Sequence, residues 1–345
     1  MPGMTNAFAH ITRRPVLLAA LTLASASVLF AGTMVAAAPH APAGTSGLQT
    51  SAYEEPAPVE IRQAVRSRAE ASLYSYGWPV KPFNRQHPVR GFFGDPRISN
   101  HGESRQFHFG VDVSAPNGTP VYATTTGTVF IHPLHATTVA IVGPAGVEFS
   151  YWHVVPTVRS GERAIAYETM IGRIEAPYGH VHFSEARNGR YLNPLRPGAM
   201  GPFTDNTRPS VTSVRVDVDG RVALVVEAYD ETPLAVPRPW HDLPVTPALV
   251  RWRLVDSEGR SVLGWKTVVD FRLTIPPASA YEEVWAPGTT QNHVRLPGRY
   301  QFYLSRGLPG LRAGAYVVEV AARDTRGNAT STRFPLVIRA PLSGS

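Results

Sequence analysis

The chain has 345 residues, a formal net charge of +7 and no cysteine. That length allows two or three domains, and the lack of cysteine excludes a disulfide framework, a cysteine nucleophile and a lipid-carrying cysteine. The basic residues are scattered, with no run of four and little aromatic interleaving, which argues against nucleic-acid binding and for loose attraction to an anionic surface.

Arg13 and Arg14 precede a nearly uncharged Ala/Leu-rich run from Pro15 to Ala38 that ends in Val35-Ala36-Ala37-Ala38. Residues 1–38 thus have the order of a secretory signal peptide. Thr12-Arg13-Arg14-Pro15-Val16-Leu17 also resembles a twin-arginine signal, which implies export of a folded protein. A single uncleaved anchor is the competing reading, since the apolar run is long enough to span a bilayer. Cleavage removes Arg13 and Arg14, lowers the charge from +7 to +5 and leaves no stable membrane insertion. Residues 39–77 read as a spacer rich in Ala, Pro, Ser and Gly, with a short helix predicted over Glu60–Leu73 and ended by Tyr76-Gly77-Trp78-Pro79.

From Trp78 the chain is all-β. Proline and glycine punctuate short runs of Val, Ile, Thr, Tyr and Phe, and no helical stripe occurs. Strands are expected over Phe107–Val113, Pro120–Thr124, Gly127–His132, Thr138–Gly143, Val147–His153, Ile165–Tyr167, Met170–Glu175 and His180–Glu185. Residues 78–200 form this first domain, and the Pro/Gly-rich stretch from Asn193 to Pro209 closes it. Seven more strands are expected over Val211–Val218, Val222–Tyr229, Leu249–Leu254, Trp265–Phe271, Gln301–Leu304, Gly314–Ala322 and Thr332–Ile338. Short strands with turn signals between them suggest an Ig-like β-sandwich over residues 209–341. The insertion from Pro276 to Arg299 has no predicted structure.

Seven of the twelve histidines lie between His101 and His182. Side chains alternate along an extended strand, so His180 and His182 share a face. His108 and Asp112 share a face whether the backbone is extended or helical. Two imidazoles on an apolar strand are costly without a metal or hydrogen-bond partner. Nitrogen and carboxylate ligands with one open position suit zinc acting on water. Iron or manganese fits the same ligand types, and spacing alone leaves open which histidines bind metal and which act as acid/base groups. His87, His101, His132, His135, His241 and His293 are expected to be satisfied surface or core residues. Arg90 and Arg97 are expected to make surface hydrogen bonds, and Trp152 and Tyr122 to be core or groove aromatics. Asp324 and Asn328 read as turn residues rather than a calcium site.

His108-Phe109-Gly110-Val111-Asp112, Gly118-Thr119-Pro120-Val121-Tyr122-Ala123, Gly127-Thr128-Val129, Tyr151-Trp152-His153-Val154 and His180-Val181-His182-Phe183 occur in that order. In this the chain resembles, over about residues 78–197, the lysostaphin-type, LytM-like zinc endopeptidases that cut peptide cross-links of bacterial peptidoglycan. The resemblance implies that His108, Asp112 and His182 bind Zn²⁺, with His153 and His180 as the catalytic pair beside the water or oxyanion. It also implies a cell-wall-associated enzyme acting on peptidoglycan peptides, with the C-terminal domain meeting the wall or a protein partner. A catalytically inactive wall-binding or regulatory protein, and a zinc peptidase acting on other proteins, are the competing readings. The lead-in Glu175-Ala176-Pro177-Tyr178-Gly179 departs from the Gly/Ser/Thr-rich loop common in such enzymes, so Tyr178 is expected to narrow the groove.

Overall fold

The computed structural model describes residues 74–98, 105–218, 222–307 and 310–339. The signal peptide, nearly all of the spacer, the Glu60–Leu73 helix and His101 lie outside the described residues. Among those described, no helix is long and apolar enough to cross a membrane.

An eight-stranded antiparallel sheet organises the first half. Its strands run in the spatial order Arg163–Ala164, Gly127–Ile131, Thr138–Val142, Val147–Trp152, His180–Arg187, Val111–Ser114 and Val89–Gly91, with Arg190–Leu192 pairing back onto His180–Arg187. The two-residue alternation of strands divides its side chains. Val111, Val113, Val181, Phe183, Phe149, Tyr151, Val139 and Ile141 are all buried and form the apolar face. Between them come Asp112, Ser114, His180, His182, Ser184, Ser150 and Thr138, which are buried polar residues on the opposite face. His182 lies in register with Asp112 on one neighbouring strand and with Trp152 on the other. Register and alternation together therefore put His180, His182 and Asp112 on one face.

Two expected strands are corrected. Phe107–Val113 is broken: Arg105–Phe107 and Val111–Ser114 are strands, but His108 leaves the ladder. Its N–H donates to the Asp95 carbonyl and its carbonyl accepts the Gly94 N–H, both at 2.8 Å, so it pairs with the preceding loop instead. Ile165–Tyr167 is a turn, with Tyr167 at φ 62°, and the sheet strand there is Arg163–Ala164. Three-residue strands such as Val89–Gly91 and Pro96–Ile98 escaped the sequence because they are too short to display a period.

The second half holds a three-stranded antiparallel sheet of Ser210–Val218, Val222–Tyr229 and Gln301–Ser305. A four-stranded antiparallel sheet takes the order Ser261–Asp270, Leu249–Asp256, Gly314–Arg323 and Ala329–Ile338. These are the seven expected strands, several of them longer than the sequence suggested. Part of the unassigned insertion is a 3₁₀ turn, Ala278–Ala280, leading into a short helix, Tyr281–Val284.

The two halves are stitched together. The Phe107 ring stands 5.6 Å from Phe271 and 5.4 Å from Tyr281. Asn193 donates its backbone N–H to Leu273 at 2.8 Å and its side-chain amide to Phe271 at 2.9 Å, while the Thr246 N–H donates to Asp95 Oδ1 at 2.8 Å. Burying Phe107, Phe271 and Trp285 in one cluster makes the apolar core continuous across the join.

Candidate metal centre

Three ligand atoms converge on the polar face of the large sheet. His108 Nε2 lies 2.7 Å from His182 Nδ1 and 3.1 Å from Asp112 Oδ1, and His182 Nδ1 lies 3.3 Å from the same oxygen. Ligands bound at about 2.0–2.1 Å to a tetrahedral zinc stand roughly 3.3 Å apart, so this triangle is slightly contracted but of the right size. All three residues are buried. The closeness depends on two glycines. A Cβ on Gly91 would fall 2.5 Å from Asp112 Oδ2, and one on Gly110 would fall 2.8 Å from His182 Nε2.

The protonation states suit metal binding. Burial first, and then the Arg97 charge, lowers His108 from its ordinary value; burial above all brings His182 down to about 3. Both rings are therefore neutral near pH 7, with lone pairs available. For Asp112 burial is the largest single influence and pushes upward. His108, His180 and Arg97 together outweigh it and hold the carboxyl well below its usual range. The His108 Nδ1–H donates to the Phe92 carbonyl at 2.8 Å, which fixes the tautomer and frees Nε2 for an ion. His182 Nε2 is buried without a partner, so only one of the two rings has the outer hydrogen bond expected of a ligand. The donor set fits zinc.

Around this triangle stand the other histidines. His180 is buried, with Nε2 3.4 Å from Asp112 Oδ1. Its Nδ1 meets Arg90 Nη2 at 2.6 Å and the Tyr178 carbonyl at 3.0 Å. One ring nitrogen cannot accept from arginine and donate to a carbonyl at once. The shorter contact makes Nδ1 the acceptor and leaves the proton on Nε2, facing the centre. His153 follows the Val147–Trp152 strand in the left-handed region, at φ 63°, an uncommon conformation for a non-glycine residue. Its ring stacks on Tyr178 at 3.8 Å and lies 4.8 Å from His180. Burial above all, and then the neighbouring His180 ring, lowers His153 to about 3.

All five residues singled out from the sequence thus gather in one place. Tyr178 does border the site, stacked on His153 rather than standing free in a groove. The expectation for the two arginines is corrected. Arg97 Nη2 donates to Asp112 Oδ2 at 2.7 Å, and Arg90 touches His180 while its guanidinium lies 4.1 Å over the Trp240 ring. Trp152 stands edge-on to His182 at 6.1 Å, and its ring also lies 5.4 Å from that of His135. Trp240 was not singled out at all: it is 60 residues from His180 in sequence, and its contact through Arg90 leaves no local signal.

Residues 106–194 match the family model "Peptidase family M23". No curated protein matches the chain. Among solved structures, a zinc-containing peptidase from Vibrio cholerae is similar at 20% identity, covering 36% of this chain and 41% of that one, with a TM-score of 0.31. Csd3 from Helicobacter pylori is similar at 23% identity, covering 38% and 36%, with a TM-score of 0.29. A chain of the SpoIIQ–SpoIIIAH pore-forming complex is similar at 21% identity, covering 36% and 90%, with a TM-score of 0.30. With its buried His/His/Asp centre lying inside the matched stretch, the chain carries an M23-family zinc-peptidase-like domain, the equipment of a metalloendopeptidase.

Proposed function

We propose that the chain is an exported zinc metalloendopeptidase that hydrolyses peptide cross-links of bacterial peptidoglycan. The observation that carries this is the convergence of His108 Nε2, His182 Nδ1 and Asp112 Oδ1 within 2.7–3.3 Å of one another, inside the M23-matched stretch. When bound there, zinc supplies Lewis acidity and a more acidic water. Asp112 offsets its charge, and Arg97 holds the carboxylate in place. His180, carrying its proton on Nε2, stands as donor to the oxygen that gains charge when a peptide carbonyl is attacked. His153, stacked on Tyr178 and 4.8 Å from His180, stands as the second member of the catalytic pair, beside the proton transfer that accompanies attack and departure of the amine. Tyr178 and Trp152 would flank a bound peptide.

The export reading rests on the sequence of residues 1–38, and the cell-wall location on the family's substrate. The domain reading, residues 78–200 as peptidase and 209–341 as an Ig-like sandwich, is supported by seven strands in two sheets; a wall or protein partner for the second domain follows by analogy.

The test uses purified peptidoglycan and the mature protein, with zinc content measured beside turnover. Hydrolysis that a chelator abolishes and added zinc restores is expected. His180→Ala should lose activity and keep most of its zinc. Stoichiometric zinc with no cleavage of wall or peptide would sink the enzyme reading and leave the inactive, wall-binding alternative.

A further inference from the structure

Three aspartates from separate segments of the chain meet in one buried cluster. Asp205 lies on the connection between the halves, Asp230 follows the Val222–Tyr229 strand, and Asp324 starts the turn after Gly314–Arg323. Each is at most 5% exposed and offers a carboxylate oxygen within 4.8 Å of the other two. Local turns explain only part of this. Asp324 Oδ1 accepts the N–H groups of Arg326, Gly327 and Asn328 at 2.6–2.8 Å, and Oδ2 accepts the Asn328 amide at 2.6 Å. Asp205 Oδ1 accepts the Thr207 N–H and Asp230 Oδ1 the Glu231 N–H, each at 2.9 Å. The second oxygens, Asp205 Oδ2 and Asp230 Oδ2, are buried and accept nothing. An unpartnered carboxylate oxygen away from water is costly, and two beside a third acid are more so.

Arg326 acts on Asp324 and Asp205 but is one positive charge against three, and its guanidinium lies 4.9 Å over the Phe203 ring. A cavity of about 10 Å³, lined by Asp230, Asp324, Phe92, Asn193 and Thr246 among others, adjoins two of the three acids. It has room for about one water.

We propose that Asp205, Asp230 and Asp324 form a second metal site, for a hard divalent cation of the Ca²⁺ class. The donors are all oxygen, with no imidazole to favour zinc. Calcium tolerates irregular oxygen sets of variable number, whereas magnesium demands a near-ideal octahedron and retains several waters. The ion would brace the join between the halves. Asp230 pairs by backbone with Val245 in both directions, Thr246 donates to Asp95, and Asp95 accepts the His108 N–H. The site is independent of the peptidase reading. A shared proton is the other way to settle the acids: burial above all, then the neighbouring Asp205, Asp324 and Glu231, raises Asp230 to about 8.

Calcium chloride titrated into the zinc-loaded protein at neutral pH, by calorimetry and by thermal unfolding, decides between them. One equivalent binding with a Kd of about 10⁻⁴–10⁻³ M or tighter is expected, with Tm rising roughly 5 °C at saturation. Asp230→Asn and Asp205→Asn should each abolish both responses, while their Tm in calcium-free buffer stays at or above that of the parent. Absence of heat and of a Tm shift in the parent overturns the proposal in favour of the shared proton. An undiminished response in both variants overturns it too, by placing the ion elsewhere, and so does a site that prefers Mg²⁺.

Discussion

Among the described residues two acidic constellations are buried, and they solve the same electrostatic problem in opposite ways. At the centre one carboxylate, Asp112, is surrounded by His108, His180, His182 and Arg97. At the join between the halves three carboxylates gather beside one arginine, Arg326, which acts on two of them. Burial therefore lowers the titrating histidines at the first site and raises Asp205 and Asp230 at the second. The mixture of donors, more than burial itself, sets which ion each place suits and which way pH acts on it.

The harshest test of that separation is a pair of substitutions. His182→Ala should empty the centre of zinc and lower peptidoglycan hydrolysis by on the order of 10³-fold or more, since the Lewis acid leaves with the ligand. Asp230→Asn should keep zinc content and turnover near those of the parent. If Asp230→Asn also strips zinc, the two constellations are one coupled system and the contrast fails.

Titration of the metal-free protein sharpens the contrast further. His153 and His182 have folded values of about 3 against an ordinary 6.5, so their neutral forms stabilise the fold fully above pH 6.5. That contribution drains away as pH falls from 6.5 towards 3, because the unfolded chain takes up protons first. Asp230 has the opposite sign. Its folded value of about 8 against 3.8 means stability is full below pH 3.8 and is lost as pH rises towards 8. Each group contributes a slope of about 1.4 kcal/mol per pH unit within its window. Melting temperature against pH should thus fall on both sides of an optimum. Asp230→Asn should flatten only the alkaline side; if it flattens the acid side instead, the assignment of signs is wrong.

Much of the first constellation is legible in the sequence, for a physical reason. His180 and His182 share a strand, and His108 and Asp112 are four residues apart, so local periodicity already places each pair on a face. The second constellation joins Asp205, Asp230 and Asp324 across more than a hundred residues and no repeat links them. Asp324-Thr325-Arg326-Gly327-Asn328 correctly announces a turn, but the turn hides a carboxylate that also faces two others. The break at His108 was equally invisible. It comes from hydrogen bonds to Gly94 and Asp95, whose position depends on the folded loop. Arg97 reads as a surface residue in a proline-rich stretch until Gly91 lets Asp112 approach it.

Arg97 matches Asp112 one to one, whereas Arg326 stands against three aspartates. Arg97→Gln keeps a donor for Asp112 Oδ2 but removes the charge. It should weaken zinc affinity about 10–100-fold, as loss of a partner behind a metal ligand typically does, read by competition with a chromogenic chelator. An unchanged affinity would mean that the two histidines alone define Asp112, and that the arginine merely sits beside it.

The smallest effect concerns how the second half reaches the first. Trp240 carries the Arg90 guanidinium at 4.1 Å, and Arg90 Nη2 meets His180 Nδ1 at 2.6 Å. A cation–π contact of this kind is worth about 0.5–2 kcal/mol. Trp240→Ala should therefore loosen Arg90 without expelling it and let the His180 tautomer exchange, since the Tyr178 carbonyl at 3.0 Å then competes for Nδ1. The expected outcome is a roughly 3–10-fold lower kcat with zinc content unchanged, scaled from that contact energy. Arg90→Lys should behave similarly, because an ammonium lacks the planar fork that spans ring and imidazole. A loss of zinc in either variant would place Arg90 among the groups that build the metal centre. Unchanged kcat in both would show that the C-terminal half touches the centre through Arg90 without tuning it.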